Sequence, residues 1–271
     1  MLQFHIDGDL CISCGECATE CPAGIIAMDG LPVMTNETGC LKCLHCYAAC
    51  PTGALSILGR KAGKGDGPAD LPTPGQMGNL IRMRRSVRRY VDENIPSERI
   101  DELLATSCYA PTGVNNQGVL FTVVRDKGEM NSLRRDMLGR LATLKEMDRL
   151  PEGMAGRYLG HAVNAWHSGG QDTILRGAPH MLLTSAPKDS PCPAQDTLIA
   201  MTTFELLASS YGIGTLWVGM FMHALAACPE LAQRLHIPAD HMIGYAMLFG
   251  KPAVEFHRVA VRGPAKVNMI G

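Results

Sequence analysis

An α+β fold in two unequal parts is predicted by three observations. Eight of the eleven cysteines fall within the first 50 residues. A stretch rich in Gly and Pro, residues 61–75, follows with no apolar period. From 76 to 271, helical and strand-like patterns mix without a regular strand–helix–strand alternation. The expected organisation is a small cysteine-rich domain (1–60), a linker (61–75) and a larger α+β domain (76–271). With 46% apolar and 19% charged residues, the chain has the means to bury a core. A net charge of -1 argues against a nucleic-acid binder working by counterion release. Aromatics at 5% argue against a base-stacking platform. The start, Met1 to Leu10, has neither a basic nor an apolar signal-peptide region. The longest greasy stretch, Leu216 to Cys228, is broken by Gly219 and His223 and is too short to span a bilayer. A cytoplasmic protein with no membrane partner and no nucleic acid is expected.

The cysteine spacing carries the first chemistry. Cys11, Cys14, Cys17 and Cys21 precede Pro22, and Cys40, Cys43, Cys46 and Cys50 precede Pro51. Each run reads C-x2-C-x2-C-x3-C-P, and the second repeats the first at an offset of 29. The echo continues in Pro22-Ala-Gly-Ile-Ile and Pro51-Thr-Gly-Ala-Leu. Zinc sites favour two separated pairs giving four ligands, which these triple runs do not match. A disulfide framework would not space its cysteines so. The run resembles the ligation pattern of two-cluster bacterial ferredoxins, in which three thiols wrap one iron–sulfur cube and the fourth serves the other. One 4Fe-4S cluster is therefore assigned to Cys11, Cys14, Cys17 and Cys50, and the second to Cys40, Cys43, Cys46 and Cys21. The segment is acidic, with six Asp and Glu against Lys42 and Arg60 over residues 1–60, a charge able to steer toward a basic redox partner. Cys108 reads as core, Cys228 as a turn before Pro229, and Cys192 as exposed in Ser-Pro-Cys-Pro.

In the larger part, Ser97 is placed as N-cap of a helix through Tyr109, ended by Pro111 and Gly113. Val119–Val124 and Pro179–Ser185 read as strands. Residues 128–176 read as helical patches with a Gly- and His-rich part, a candidate lid carrying Tyr158, His161 and Trp166. Asp196–Tyr211 reads as a central helix, Leu225–Leu235 as another, and Met242–Phe249 as a buried strand. No strand–turn–helix Gly-rich fingerprint supports a Rossmann domain.

Arg82, Arg84, Arg85, Arg88 and Arg89, with Ser86 among them, match phosphate, or else form a solvated basic face. Arg84-Arg-Ser-Val-Arg-Arg-Tyr90 resembles the opening motif of the nitroreductase flavoproteins. Ala110-Pro-Thr-Gly-Val-Asn-Asn-Gln117 is similar to their second motif and Gly212-Ile-Gly-Thr-Leu-Trp-Val-Gly219 to the third. Gly244 to Pro252, with Phe256, Arg258 and Arg262, is similar to their C-terminal end. The resemblance implies a nitroreductase-like α+β domain, FMN, and a homodimer with flavin at the interface. It implies that Arg84, Arg85, Ser86 and Arg88 hold the phosphate and the polar edge of the ring. Arg258 and Arg262 match its closing basic residues. Thr112, Gly113 and Asn115 match the turn laid on the flavin by the partner subunit. Gly219 and Met220 match a loop beside the flavin N5. Two departures, Gln117-Gly118-Val119 and the non-acidic Gly219, bear on substrate contacts.

The implied activity is electron flow from the clusters to FMN and on to a small organic acceptor: a nitro compound, quinone, activated alkene or halogenated aromatic. Ferredoxin or another low-potential donor would supply the electrons. An NAD(P)H-driven flavin reductase and an electron carrier or redox sensor without a dedicated substrate are the alternatives.

Overall fold

Contacts divide the chain into two units, Met1–Leu71 with Val114–Asn116, and Pro72–Gly113 with Gln117–Gly271. The computed structural model describes residues 2–63, 67 and 70–271; residues 64–66, 68 and 69 of the expected linker lie outside the described residues.

The first unit contains β1 (His5–Ile6), α1 (Glu16–Thr19), β2 (Ile26–Asp29), β3 (Leu31–Met34), α2 (His45–Ala48) and β4 (Leu55–Ser56). β1 pairs antiparallel with β4, and β2 with β3. The sequence repeat is also a backbone repeat. Ser13 and Lys42, 29 residues apart, both have φ 54°, Gly15 and Leu44 have φ 77° and 62°, and Gly24 and Gly53 have φ 61° and 68°. Glycine enters this region freely; Leu44 enters it against the clash of its Cβ. Leu2, Ile26, Leu55 and Ile57 bury a small core together with Cys17 and Cys46.

The second unit opens with α3 (Pro74–Met83), which begins inside the expected linker. Thr73 and Gln76 form a capping box and Pro74 sits in the first turn. α4 (Ser97–Ser107), β5 (Leu120–Val124), α5 (Lys127–Glu146), α6 (Gly153–Gly169), β6 (His180–Pro187), α7 (Pro193–Ser210), β7 (Gly214–Trp217), α8 (Gly219–Ala227), α9 (Glu230–Arg234) and β8 (His241–Gly250) follow. The strands form one antiparallel sheet in the order β5-β6-β8-β7. Alternation of side chains along each strand sorts the core into two layers. Met181, Leu183, Ala246 and Leu248 face α5, α6, α8 and α9. Leu182, Met247 and Phe249 face α4 and α7. β6 is covered on both faces, which explains its unbroken burial from His180 to Ala186. Among the described residues no helix is long and apolar enough to cross a membrane.

Four expectations are corrected. The stretch 128–176, expected as helical patches, is built on two long helices: α5 and α6 bury Met130, Leu133, Met137, Leu138, Leu141, Leu159, Ala162 and Val163 in the core. The helix expected over Leu225–Leu235 is two helices, because Pro229 lacks the N–H that would continue the first. The N-cap of α4 is Pro96 rather than Ser97, and the helix stops at Ser107. Cys108 lies just past that end and is exposed, whereas Cys228 is buried.

Candidate functional site

The thiols of the first unit separate into two groups. Cys21, Cys40, Cys43 and Cys46 line one cavity, walled by Ile25, Ile26, Met34 and Ile57. Burial pushes the Cys46 thiol up to about 11, with Cys43, Cys21 and Cys40 adding like-charge pressure. Burial likewise raises Cys17, and there the neighbouring thiols are Cys50 and Cys14. Cys21 thus stands with the second run, and Cys50 stands beside Cys17 and Cys14 of the first. Among the described residues no three His, Cys, Asp or Glu side chains stand close enough to hold a single metal ion.

Backbone N–H groups point at the sulfurs. Ser13 N donates to Cys11 Sγ and Lys42 N to Cys40 Sγ, each at 3.4 Å. Ala54 N donates to Cys50 Sγ at 3.2 Å. Burial would raise the Cys50 thiol, but the Ala54 N–H, with the hydroxyl and N–H of Thr52 and the N–H of Gly53, brings it below its ordinary value. Asn115 belongs to this unit, and its Nδ2 donates to the Leu41 carbonyl at 3.0 Å.

The basic segment of the second unit is extended from Arg84 onward. Val87 N donates to Thr215 O at 2.8 Å, Val91 N to Lys251 O at 2.9 Å, and Ala253 N to Arg89 O at 2.9 Å. The Tyr90 hydroxyl donates to the Val87 carbonyl at 2.8 Å. The segment lies against β7 so closely that a Cβ on Gly214 would stand 2.6 Å from Val87 Cγ2. This lacing sets Arg84, Arg85, Ser86, Arg88 and Arg89 around an open cleft of about 420 Å³ closed by Val254, Phe256 and Arg262. Arg84 Nη1 donates to Glu205 Oε1 at 3.1 Å, a buried carboxylate that also accepts from Thr215 Oγ1 at 3.2 Å. Arg88 Nη1 donates to the Ser86 carbonyl at 3.3 Å. Arg85 Nη2 is buried and, among the described residues, has no hydrogen-bond partner. A buried guanidinium N–H with nothing to donate to, in a cationic cleft, fits a phosphate group.

The remaining expected residues lie elsewhere. Arg258 is exposed and does not line the cleft. Gly219 and Met220 form the first turn of α8, where a Cβ on Gly219 would meet the Tyr245 hydroxyl at 2.7 Å. Thr112 Oγ1 accepts from Gln117 N at 2.9 Å. Gly113 N donates to Asp196 Oδ1 at 2.9 Å, and Cys192 packs on Gly113, where a Cβ would stand 2.7 Å from its Sγ. Asp196 and Glu205, the two acids that fix these segments, were not singled out by the sequence. The available signal was a buried carboxylate on an otherwise apolar helix.

The model of the nitroreductase family matches residues 81–251, and that of the 4Fe-4S dicluster domain matches residues 3–51. A protein of Methanothermobacter thermautotrophicus named putative NADH dehydrogenase/NAD(P)H nitroreductase is 28% identical over 178 residues, covering 64% of this chain and 75% of that protein. An iodotyrosine deiodinase of Thermotoga neapolitana is 26% identical over 137 residues, covering 51% of this chain and 70% of that one. In fold, the chain resembles a nitroreductase with bound FMN from Bacteroides fragilis, with a TM-score of 0.57 at 21% identity over 72% of this chain and 99% of that one. The family match spans more than half of the chain and contains the laced basic segment, the sheet and the central helix: the chain belongs to the nitroreductase family of oxidoreductases, with a 4Fe-4S dicluster domain ahead of it in sequence.

Proposed function

We propose that this enzyme takes in electrons at two 4Fe-4S clusters and passes them through FMN to a small organic acceptor. The observation that carries the flavin assignment is the unpartnered Arg85 Nη2 in the basic cleft. Arg85, Ser86 and Arg262 bind the phosphate, and Arg84 is held in place by Glu205. Arg88 supplies positive charge at the polar edge of the ring. FMN, when bound, exchanges one or two electrons at its ring, and the protein provides orientation and electrostatics. Thr112, Gly113, Gly219 and Met220 line no part of this cleft. The reading assigns them to the flavin face completed by a second copy in a homodimer.

In the first unit, Cys11, Cys14, Cys17 and Cys50 are assigned to one cluster and Cys40, Cys43, Cys46 and Cys21 to the other. The neighbours that press on Cys17 and Cys46 support this division. The Ala54, Ser13 and Lys42 N–H groups stabilise thiolate charge, which favours the reduced state of whatever the sulfurs bind.

Titration of apo-protein with FMN tests the cleft. Arg85→Ala removes a charge-assisted hydrogen bond, worth about 1.5–3 kcal/mol, and should weaken FMN about 10- to 150-fold. Undiminished affinity would remove the phosphate assignment. Anaerobic stopped-flow tests the path: a low-potential donor should bleach the clusters before the flavin. The name of the Methanothermobacter thermautotrophicus relative supports a second reading, with NAD(P)H as direct donor. Rapid flavin reduction by NADH or NADPH in a Cys11→Ser/Cys40→Ser variant would favour it.

A further inference from the structure

We propose that the first cysteine run carries the docking face for a basic one-electron redox protein, and that electrons enter this chain there. The proposal rests on the assignment of the cysteines to clusters. It comes from comparing the two equivalent loops of the repeat. In the second run, the Leu41 carbonyl is bonded by Asn115, and Val114–Asn116 belong to the same unit. In the first run, the equivalent Ile12 is 65% exposed. Cys14 is also the exposed member of the eight thiols, whereas its counterpart Cys43 is half-buried.

An apolar patch surrounds this open loop. Ser13 Oγ donates to the Gly30 carbonyl at 2.9 Å, tying the loop to the tip of the β2–β3 hairpin. Leu31 reaches within 3.8 Å of the Cβ position of Gly8. The register pairs Asp29 with Leu31 and Ala27 with Val33, so these side chains share one face of the hairpin, and all four residues are exposed. Exposed apolar surface of this kind marks a contact site.

Charge selects the occupant. Residues 1–41 contain no Lys or Arg but hold Asp7, Asp9, Glu16, Glu20, Asp29 and Glu37. Asp9, Glu16 and Asp29 are exposed. The complementary partner presents an apolar contact ringed by Lys and Arg, and long-range attraction raises its encounter rate. On docking, one electron would leave the partner's reduced centre, oxidising it, and reduce the cluster that Cys14 and its companions would hold. No bond forms or breaks, and no proton moves.

The test runs the same contact in reverse with the photoreduced holoenzyme and ferricytochrome c, a basic haem protein, in anaerobic stopped-flow. The second-order rate should fall several-fold as salt shortens the Debye length from about 10 Å at 0.1 M to about 3 Å at 1 M. Asp9→Lys/Asp29→Lys should slow it about tenfold, and Ile12→Ser should slow it at every salt concentration. Iron content and reduction by dithionite should stay unchanged in these variants. Glu146→Lys, one such charge reversal in the last turn of α5, should leave the rate alone. Equal slowing by Glu146→Lys, indifference to salt, or faster reaction with an acidic flavodoxin would overturn the proposal. So would a change in sedimentation of Ile12→Ser, which would make the patch a contact between copies. A wild type lacking cluster absorbance would sink the underlying assignment and this proposal with it.

Discussion

The two units reach an ordered state by different means. The second sandwiches a four-stranded sheet between two apolar layers, with Phe204, Phe221 and Phe249 wholly buried. Burial on that scale is self-sufficient. The first has a core of a few aliphatic side chains packed against thiols, and strands of two to four residues. Its buried thiols, raised by desolvation at Cys17 and Cys46, gain from any group that accepts them as thiolates. When a site forms only in the folded state, its binding free energy is folding free energy. The proposed clusters would make chemistry and architecture inseparable in the first unit, unlike the second.

Removing iron under reducing conditions is the strongest test of that contrast. Amide protection should collapse across residues 2–63 and persist in β6, α7 and β8, read by hydrogen exchange. Simultaneous loss in both units would erase the distinction. Next in size, Cys50→Ser should remove about half of the iron, taking the cluster assigned to Cys11, Cys14 and Cys17. Loss of the other cluster's spectrum alone would reverse the crossing. Phe204→Ala should cost the second unit about 3–5 kcal/mol in urea unfolding while leaving iron content intact.

The smallest effect concerns pH. His180 is buried, its ring 5.0 Å from that of Phe249, and its Nε2 accepts from Ile95 N at 2.8 Å. Burial holds it neutral below its ordinary value of 6.5, against the weaker pull of backbone groups at Val124 and Arg125 and of Asp126. The unfolded chain therefore takes up the proton first. The histidine's contribution is complete above about 6.5 and is lost as pH falls toward the depressed folded value. Denaturation of the second unit should show this decline as pH falls below about 6.5, and His180→Gln should flatten it. An unchanged slope in the variant would place the proton elsewhere.

What the sequence disclosed depended on whether the signal was local. Cysteine spacing and the Arg84–Arg89 cluster are local, and both residue sets converge in the structure. The strands β6 and β8 announced themselves by their apolar stretches, Met181–Leu183 and Ala246–Phe249. α3 was hidden because its capping box, Thr73 to Gln76, lies in a segment whose Gly and Pro content reads as linker. α5 and α6 looked loosely helical because polar outer faces dilute the apolar stripe that only the sheet completes. Arg84 looked like one more phosphate ligand, yet half of its role is to meet Glu205, which stands 121 residues away. The Asp196–Gly113 bond, spanning 83 residues, is equally invisible to any pattern along the chain.

The strand pairing of the first unit bears on how such a segment can be inherited. Divided by its 29-residue repeat, the unit has β1 and β2 in one half and β3 and β4 in the other. Each two-stranded sheet, β1 with β4 and β2 with β3, takes one strand from each half. Neither half can close a hairpin of its own. A recombination break at Asp29–Gly30 would therefore deliver two fragments with every ladder broken. Only the undivided segment, with both halves of the repeat, keeps its ladders.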